Sequence, residues 1–207
     1  MKKLTGLFFA VLLILTFTAC GNNTSDISVK VGNTVKIGEI DWLVLSVGDN
    51  KALVLSENVL EKRAYHSPDI DITWEYCELR EYLNGSFYDK TFNDTEKKNI
   101  LTTKTINSDN PEFSTSGGND TSDKIFLLSI SEINEYMGNN AHENIKNSMI
   151  ARHINTDETS WWWLRSPGIK NDFAAIVNSD GNVYAGGGGD GVGMDSGGVR
   201  PALWLNL

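Results

Sequence analysis

The sequence predicts an α+β fold. Apolar runs of strand length, punctuated by Gly, Asn and Asp, open and close the region after residue 26. Between them lie amphipathic stretches of helical period, and the connections include polar segments too long for tight hairpins. Strands at both ends with helices in the middle imply a single domain over residues 27–207 with paired terminal strands, central helices and long polar loops.

The first element is an export signal. Lys2 and Lys3 precede an apolar run over 4–17, shorter than the roughly 18 to 20 residues that span a bilayer. Small residues Thr18 and Ala19 then lead to Cys20. This resembles the lipobox of bacterial lipoproteins, with Phe17 standing where that motif has an aliphatic residue. The resemblance implies a signal peptide over 1–19, lipid on Cys20, a polar tether over 20–26, and a place on the extracytoplasmic face of a bacterial cell membrane. The lipid is then the membrane partner, since two or more acyl chains hold a protein stably. With Cys20 acylated, Cys77 has no intramolecular partner, and its amphipathic setting suits burial as a small hydrophobe.

The net charge is −9, and cleavage before Cys20 removes two lysines, making it more negative. Such a surface repels nucleic acid and anionic headgroups, which excludes nucleic acid as a partner.

From residue 27 the pattern reads as strands over 27–31, 34–37, 40–47 and 51–56. Residues 42–47 and 52–55 are continuous apolar runs, predicting a hairpin buried on both faces. Thr73 can cap a helix over 73–83 that ends at Asn84-Gly85. Asn93 with Glu96 forms a capping box for a helix over 95–101, and Ser129 with Glu132 forms another after a buried strand over 124–129. Residues 107–123 read as one loop, long enough to be functional or mobile. A further helix is expected over 144–154.

The last fifth returns to strands over 161–165, 174–178, 182–185 and 199–205, with Ser179-Asp180-Gly181 as a hairpin turn. In a strand Trp162 faces away from Trp161 and Trp163, so one indole is expected in the core and another near the surface. Arg165 and Arg200 read as structural clamps on backbone carbonyls or on Asp172, Asp180, Asp190 or Asp195. Pro167 and Pro201 belong at strand ends, edges or bulges. The glycine-rich run 186–198 lacks the Lys and Ser or Thr of a phosphate loop, so it reads as an open surface loop.

Residues 42–45, 52–57, 74–87, 123–129, 162–168 and 198–205 together resemble a family of bacterial extracellular and lipoprotein domains of unknown function. The Trp-rich strand and the closing Gly198-Val199-Arg200-Pro201-Ala202 are also distantly similar to the C-type-lectin-like fold of formylglycine-generating enzymes. That resemblance implies a fold rather than a reaction. The paired cysteines that hold copper in those oxidases are missing from the mature region. His66, His142 and His153 lack the setting of the three-histidine iron enzymes.

The expectation is a surface-anchored binding module for an extracellular glycan or protein. Its ligand residues are expected to be Trp162, Asp180, Asn182, Tyr184, Asp190 and Asp195. No catalytic set is read, and no cofactor; calcium on Asp190 and Asp195 lacks the usual acidic series. The alternatives are a metal-dependent enzyme on the same fold, through Asp190, Asp195 or a histidine, and a structural envelope lipoprotein without ligand.

Overall fold

A computed structural model describes residues 29–156, 158–189 and 191–207; the expected signal peptide, the expected lipidation site Cys20, and Asp190 lie outside them. Among the described residues the fold is α+β, with two five-stranded sheets and a small two-stranded one.

The first sheet is built from β1 (Thr34–Ile37), β2 (Ile40–Gly48), β3 (Lys51–Ser56), β7 (Ile125–Phe126) and β12 (Ala202–Asn206), in the order β1-β2-β3-β12-β7. The β2–β3 hairpin forms as its apolar runs predict, with Leu43, Val44, Leu45, Leu53, Val54 and Leu55 all buried. The second sheet holds β4 (Glu61–Lys62), β8 (Trp162–Pro167), β9 (Ala174–Val177), β10 (Val183–Tyr184) and β11 (Gly198–Val199), in the order β10-β9-β8-β11-β4. Strands β5 (Thr103–Thr105) and β6 (Thr121–Asp123) pair on their own, so the predicted loop ends at residue 120.

The chain crosses between the large sheets at Arg200-Pro201. Pro201 has no N–H for a ladder, so the expected strand over 199–205 breaks there, while its carbonyl accepts from the Ser56 N–H at 2.9 Å. β12 pairs with β3 and β7, and β1 lies beyond β2 at the sheet edge. The terminal strands therefore share a sheet without pairing directly. The expected strand over 27–31 is not formed in its described part; residues 31–32 turn, with Gly32 at φ +83°.

The helical middle is more broken than its periodicity suggests. A 3₁₀ turn (Trp74–Tyr76) leads into α1 (Glu78–Tyr82), a π-type segment (Leu83–Phe87) and α2 (Tyr88–Thr91). Thr73 makes no capping bond; Cys77 caps α1 instead, its Sγ accepting from the Arg80 N–H at 3.4 Å. The helical run breaks at Asn84-Gly85 as expected, with Gly85 at φ −109° and ψ −106°, and the Asn84 amide bridges Arg80 O, Ile125 O and the Lys124 and Ile125 N–H groups at the kink. Both capping boxes form, at Asn93 for α3 (Asp94–Asn99) and at Ser129 for α4 (Ile130–Glu132). The strand expected over 124–129 is limited to β7, since Arg165 takes the carbonyls of Leu127 and Leu128. α5 (Glu143–Asn147) is shorter than expected; residues 152 and 153 instead form isolated bridges with Thr159 and Val59.

Among the described residues no helix is long and apolar enough to cross a membrane.

Candidate functional site

Strand β8 is central in its sheet and covered on both faces, so alternation does not bring a Trp to the surface. Trp162 and Trp163 are both fully buried. This overturns the expectation that Trp162 meets a ligand: its indole donates to Met149 O at 3.4 Å and lies under the Arg200 guanidinium, 4.9 Å from the ring centroid. Trp163 donates to Arg63 O at 2.9 Å, and Trp161 packs edge-on against it at 4.8 Å.

The two arginines sit in the frame, with partners other than the expected aspartates. Arg165 donates to Leu127 O at 2.7 Å, Ile106 O at 2.9 Å and Asn107 Oδ1 at 3.2 Å, and pairs bidentately with Glu132. Arg200 donates to Ser148 O at 2.7 Å, Ser56 O at 2.8 Å and Glu57 O at 3.2 Å. Burial pulls its guanidinium down to about 9, with Glu57 acting in the opposite sense; it is charged at neutral pH, and its hydrogen bonds to Ser56, Glu57 and Ser148 all end on backbone carbonyls. Pro167 is the last residue of β8, beyond a register shift, and Pro201 separates β11 from β12.

The glycine-rich segment is not a free loop in its described part. Gly191, Val192, Gly197 and Gly198 are buried. The backbone is tied by Val192 N–H to Asp172 O (2.9 Å), His66 N–H to Val192 O (3.1 Å) and Arg63 N–H to Gly197 O (2.8 Å). A Cβ on Gly197 would overlap the Trp163 indole nitrogen, which explains glycine there as close packing.

What remains exposed gathers on the outer strand β10. The turn before it forms as predicted, with Gly181 at φ +85° and Asp180 Oδ1 accepting from Asn182 N–H at 3.0 Å. The Asn182 backbone and side-chain amides hold the exposed Asp180 carboxyl below its usual range. Tyr184 is 54 % exposed. Asp195 is exposed but lies away in sequence from this strand, at the far end of the glycine-rich run.

Sequence reasoning missed the other half of this surface, which comes from the 107–120 loop. Phe113 and Ile169 are 41 % and 50 % exposed. Phe113 and Tyr184 both border Gly186, and Ile169 N–H donates to Gly186 O at 2.8 Å. The lashing is Asn110, only 2 % exposed. Its Nδ2 donates to Pro167 O at 2.7 Å, Ala185 O at 2.8 Å and Gly168 O at 3.3 Å, while Oδ1 accepts from Glu112 N–H at 2.9 Å and Phe113 N–H at 3.1 Å. Thr115 Oγ1 to Ile169 O (3.0 Å) and Asn171 Nδ2 to Ser116 O (2.8 Å) add two more stitches. The one signal for this was Asn110-Pro111, a turn-starting dipeptide next to an aromatic in an otherwise polar loop.

Among the described residues no three His, Cys, Asp or Glu side chains approach closely enough to hold a metal ion. His66, His142 and His153 each accept a backbone N–H through Nδ1, from Glu78, Asn144 and Asn155. Cys77 is buried and free, and burial pushes its thiol up to about 12, so it is inert as a nucleophile at neutral pH. The small cavities on either side of Gly117, lined by Arg165 and Pro167, leave no room for a water molecule. The chemistry this arrangement offers is contact on a fixed apolar and hydrogen-bonding surface.

A family model described as a domain of unknown function, DUF6273, matches residues 49–207. No curated protein and no solved structure matches the chain.

Proposed function

The chain belongs to the DUF6273 family, and from that premise we propose that it is a lipid-anchored binding module recognising an extracellular glycan or protein through the β10 edge. The observation that carries this reading is the exposed trio Phe113, Ile169 and Tyr184, assembled from three separate segments around Gly186. The backbone that carries Phe113 and Ile169 is already fixed by bonds to Asn110 and Gly186, so little main-chain ordering is left to oppose binding. Asn182 and the Asp180 turn supply polar groups at one end of the strand. In this reading Trp162 supports the sheet from inside and touches no ligand. The fold is proposed to be C-type-lectin-like, with its recognition surface formed by the 107–120 and 182–187 segments. Cys20 carries the lipid that holds the domain at the extracytoplasmic face.

The test is binding of the full chain, in detergent micelles, to an array of envelope polymers, host glycans and extracellular proteins. Wild-type binding that is lost in Tyr184→Ala supports the reading; no binding to any feature, or equal binding by Tyr184→Ala, defeats it. Anchoring is tested separately by metabolic labelling with palmitate. Label and membrane fractionation are both lost in Cys20→Ala if the lipid sits there, and label retained by that variant rejects the assignment.

A further inference from the structure

Residues 84–85 are the one Asn-Gly pair in the sequence. Glycine after asparagine leaves the next peptide nitrogen unhindered, so this dipeptide is the one most open to attack by its own backbone on the side-chain amide. The Gly85 nitrogen bonds to Asn84 Cγ, the Cγ–Nδ2 bond breaks, and Nδ2 leaves as ammonia with the Gly85 proton. Water then opens the resulting succinimide ring at either carbonyl, giving aspartate or isoaspartate. Crowding does not prevent this in the fold. Both residues are half-buried, and a Cβ on Gly85 would meet no atom within 4 Å. What differs from an unfolded Asn-Gly is the amide. Its Nδ2 donates to Arg80 O at 3.1 Å and Ile125 O at 2.8 Å, and its Oδ1 accepts from Lys124 N–H at 2.8 Å and Ile125 N–H at 3.2 Å. Both amide hydrogens and both oxygen lone pairs are taken.

We propose that Asn84-Gly85 is a latent deamidation site, held silent by the contact between Asn84 and the 123–125 segment and released when that contact opens. The carboxamide cannot turn its Cγ to the Gly85 nitrogen while four bonds fix its plane. A buried carboxylate anchors the same junction. Asp123, 1 % exposed, accepts from Arg80 Nε at 2.7 Å, Trp74 Nε1 at 3.0 Å and Thr121 Oγ1 at 2.6 Å, and it directly precedes the two residues whose N–H groups Asn84 holds. Arg80 serves both sides, giving its guanidinium to Asp123 and its carbonyl to Asn84. Local opening of this junction frees the amide and starts an irreversible step. Neither product restores the native bonds: a carboxylate at position 84 has nothing to donate to Arg80 O and Ile125 O, and isoaspartate carries an extra carbon in the main chain. The modification therefore accumulates on chains whose α1 junction has opened.

The experiment is peptide mapping by mass spectrometry after timed incubation of the full chain in mildly alkaline buffer, with and without urea, counting aspartate and isoaspartate at position 84. Folded wild type deamidates there about tenfold or more slowly than the urea-unfolded chain at the same pH and temperature. Asp123→Ala, which strips the anchor from Arg80 and Trp74, raises the rate in the folded chain by about tenfold or more, whereas Tyr184→Ala, far from the junction in sequence, leaves it unchanged. If Asp123→Ala does not fold, a urea series on wild type decides: the rate climbs below the global transition in step with hydrogen exchange over 83–87. A folded rate less than about tenfold below the unfolded one overturns the proposal. So does a folded Asp123→Ala chain that deamidates at the wild-type rate, or a wild-type rate that ignores the opening of 83–87.

Discussion

Replacing Asn110 by Ala removes the buried side chain that ties the 107–120 loop to carbonyls of residues 167, 168 and 185. Three acceptors, the carbonyls of Pro167, Gly168 and Ala185, lose their shared donor inside the protein, and all three belong to buried residues. The two N–H groups of Glu112 and Phe113 lose their acceptor but lie on exposed residues that water can reach. The amide carries two hydrogens, so two full bonds are lost; at about 1 kcal/mol net per buried bond the loop is destabilised locally by about 2 kcal/mol, which raises the population of its open form about thirtyfold. Hydrogen exchange followed by mass spectrometry reads this directly: amides in 108–118 exchange about thirtyfold faster, while β2 and β3 keep their protection. Asn110→Asp is at least as damaging, because a carboxylate keeps both acceptor roles but faces three carbonyl oxygens with nothing to donate. Unchanged exchange over 108–118 in Asn110→Ala, or wild-type behaviour in Asn110→Asp, would refute this reasoning.

Other perturbations probe the frame. Arg200→Met strips charge-assisted donors from Ser56, Glu57 and Ser148 carbonyls and the cation from Trp162. A loss of about 3 kcal/mol, or roughly 6–12 °C in Tm, is expected, and Arg200→Lys does not restore it because an ammonium lacks the planar fork; a shift under about 2 °C contradicts the assignment. Gly197→Ala drives a methyl into the Trp163 indole and costs about 3 kcal/mol, whereas Gly48→Ala meets no atom and stays within about 0.5 kcal/mol, both read by chemical denaturation. Alkaline pH opposes the fold. Burial holds the Cys77 thiol protonated up to about 12 and raises Tyr65 as well, while the unfolded thiol ionises from its ordinary value of 9.0. Above that value the unfolded chain binds fewer protons, so stability falls as pH rises from 9 towards 12. The fall in denaturation midpoint is shallower in Cys77→Ala, and identical slopes would count against the buried-thiol argument.

Local chemistry was legible in the sequence where it acts over a few residues. The β2–β3 hairpin follows from two uninterrupted apolar runs, the caps at Asn93 and Ser129 from a residue and its partner three positions on, and the β9–β10 turn from Asp180-Gly181. Alternation failed at Trp162 because it separates an inner from an outer face, and β8 has no outer face. Gly85 breaks the helix as its sequence suggests, whereas the role of Asn84 in bonding a segment some forty residues away left no local trace. Arg165 was read as a clamp, yet its carboxylate partner was sought among nearby aspartates; it is Glu132, which also closes the cap on α4. The proposed binding surface was half visible for the same reason. Tyr184 and Asn182 advertise themselves beside a turn, but Phe113 reaches them only through the Asn110 amide, whose partners lie 57 to 75 residues away. No local pattern encodes a contact of that span.

The most direct test of the proposed binding edge is hydrogen exchange on the full chain with and without a saturating ligand drawn from the array. Protection gained over 112–115 and 183–187, with β12 and the 191–198 segment unchanged, is the result expected when the ligand contacts Phe113 and Tyr184. Protection confined to other segments, or none at all from a ligand that is bound, would contradict the placement of the site.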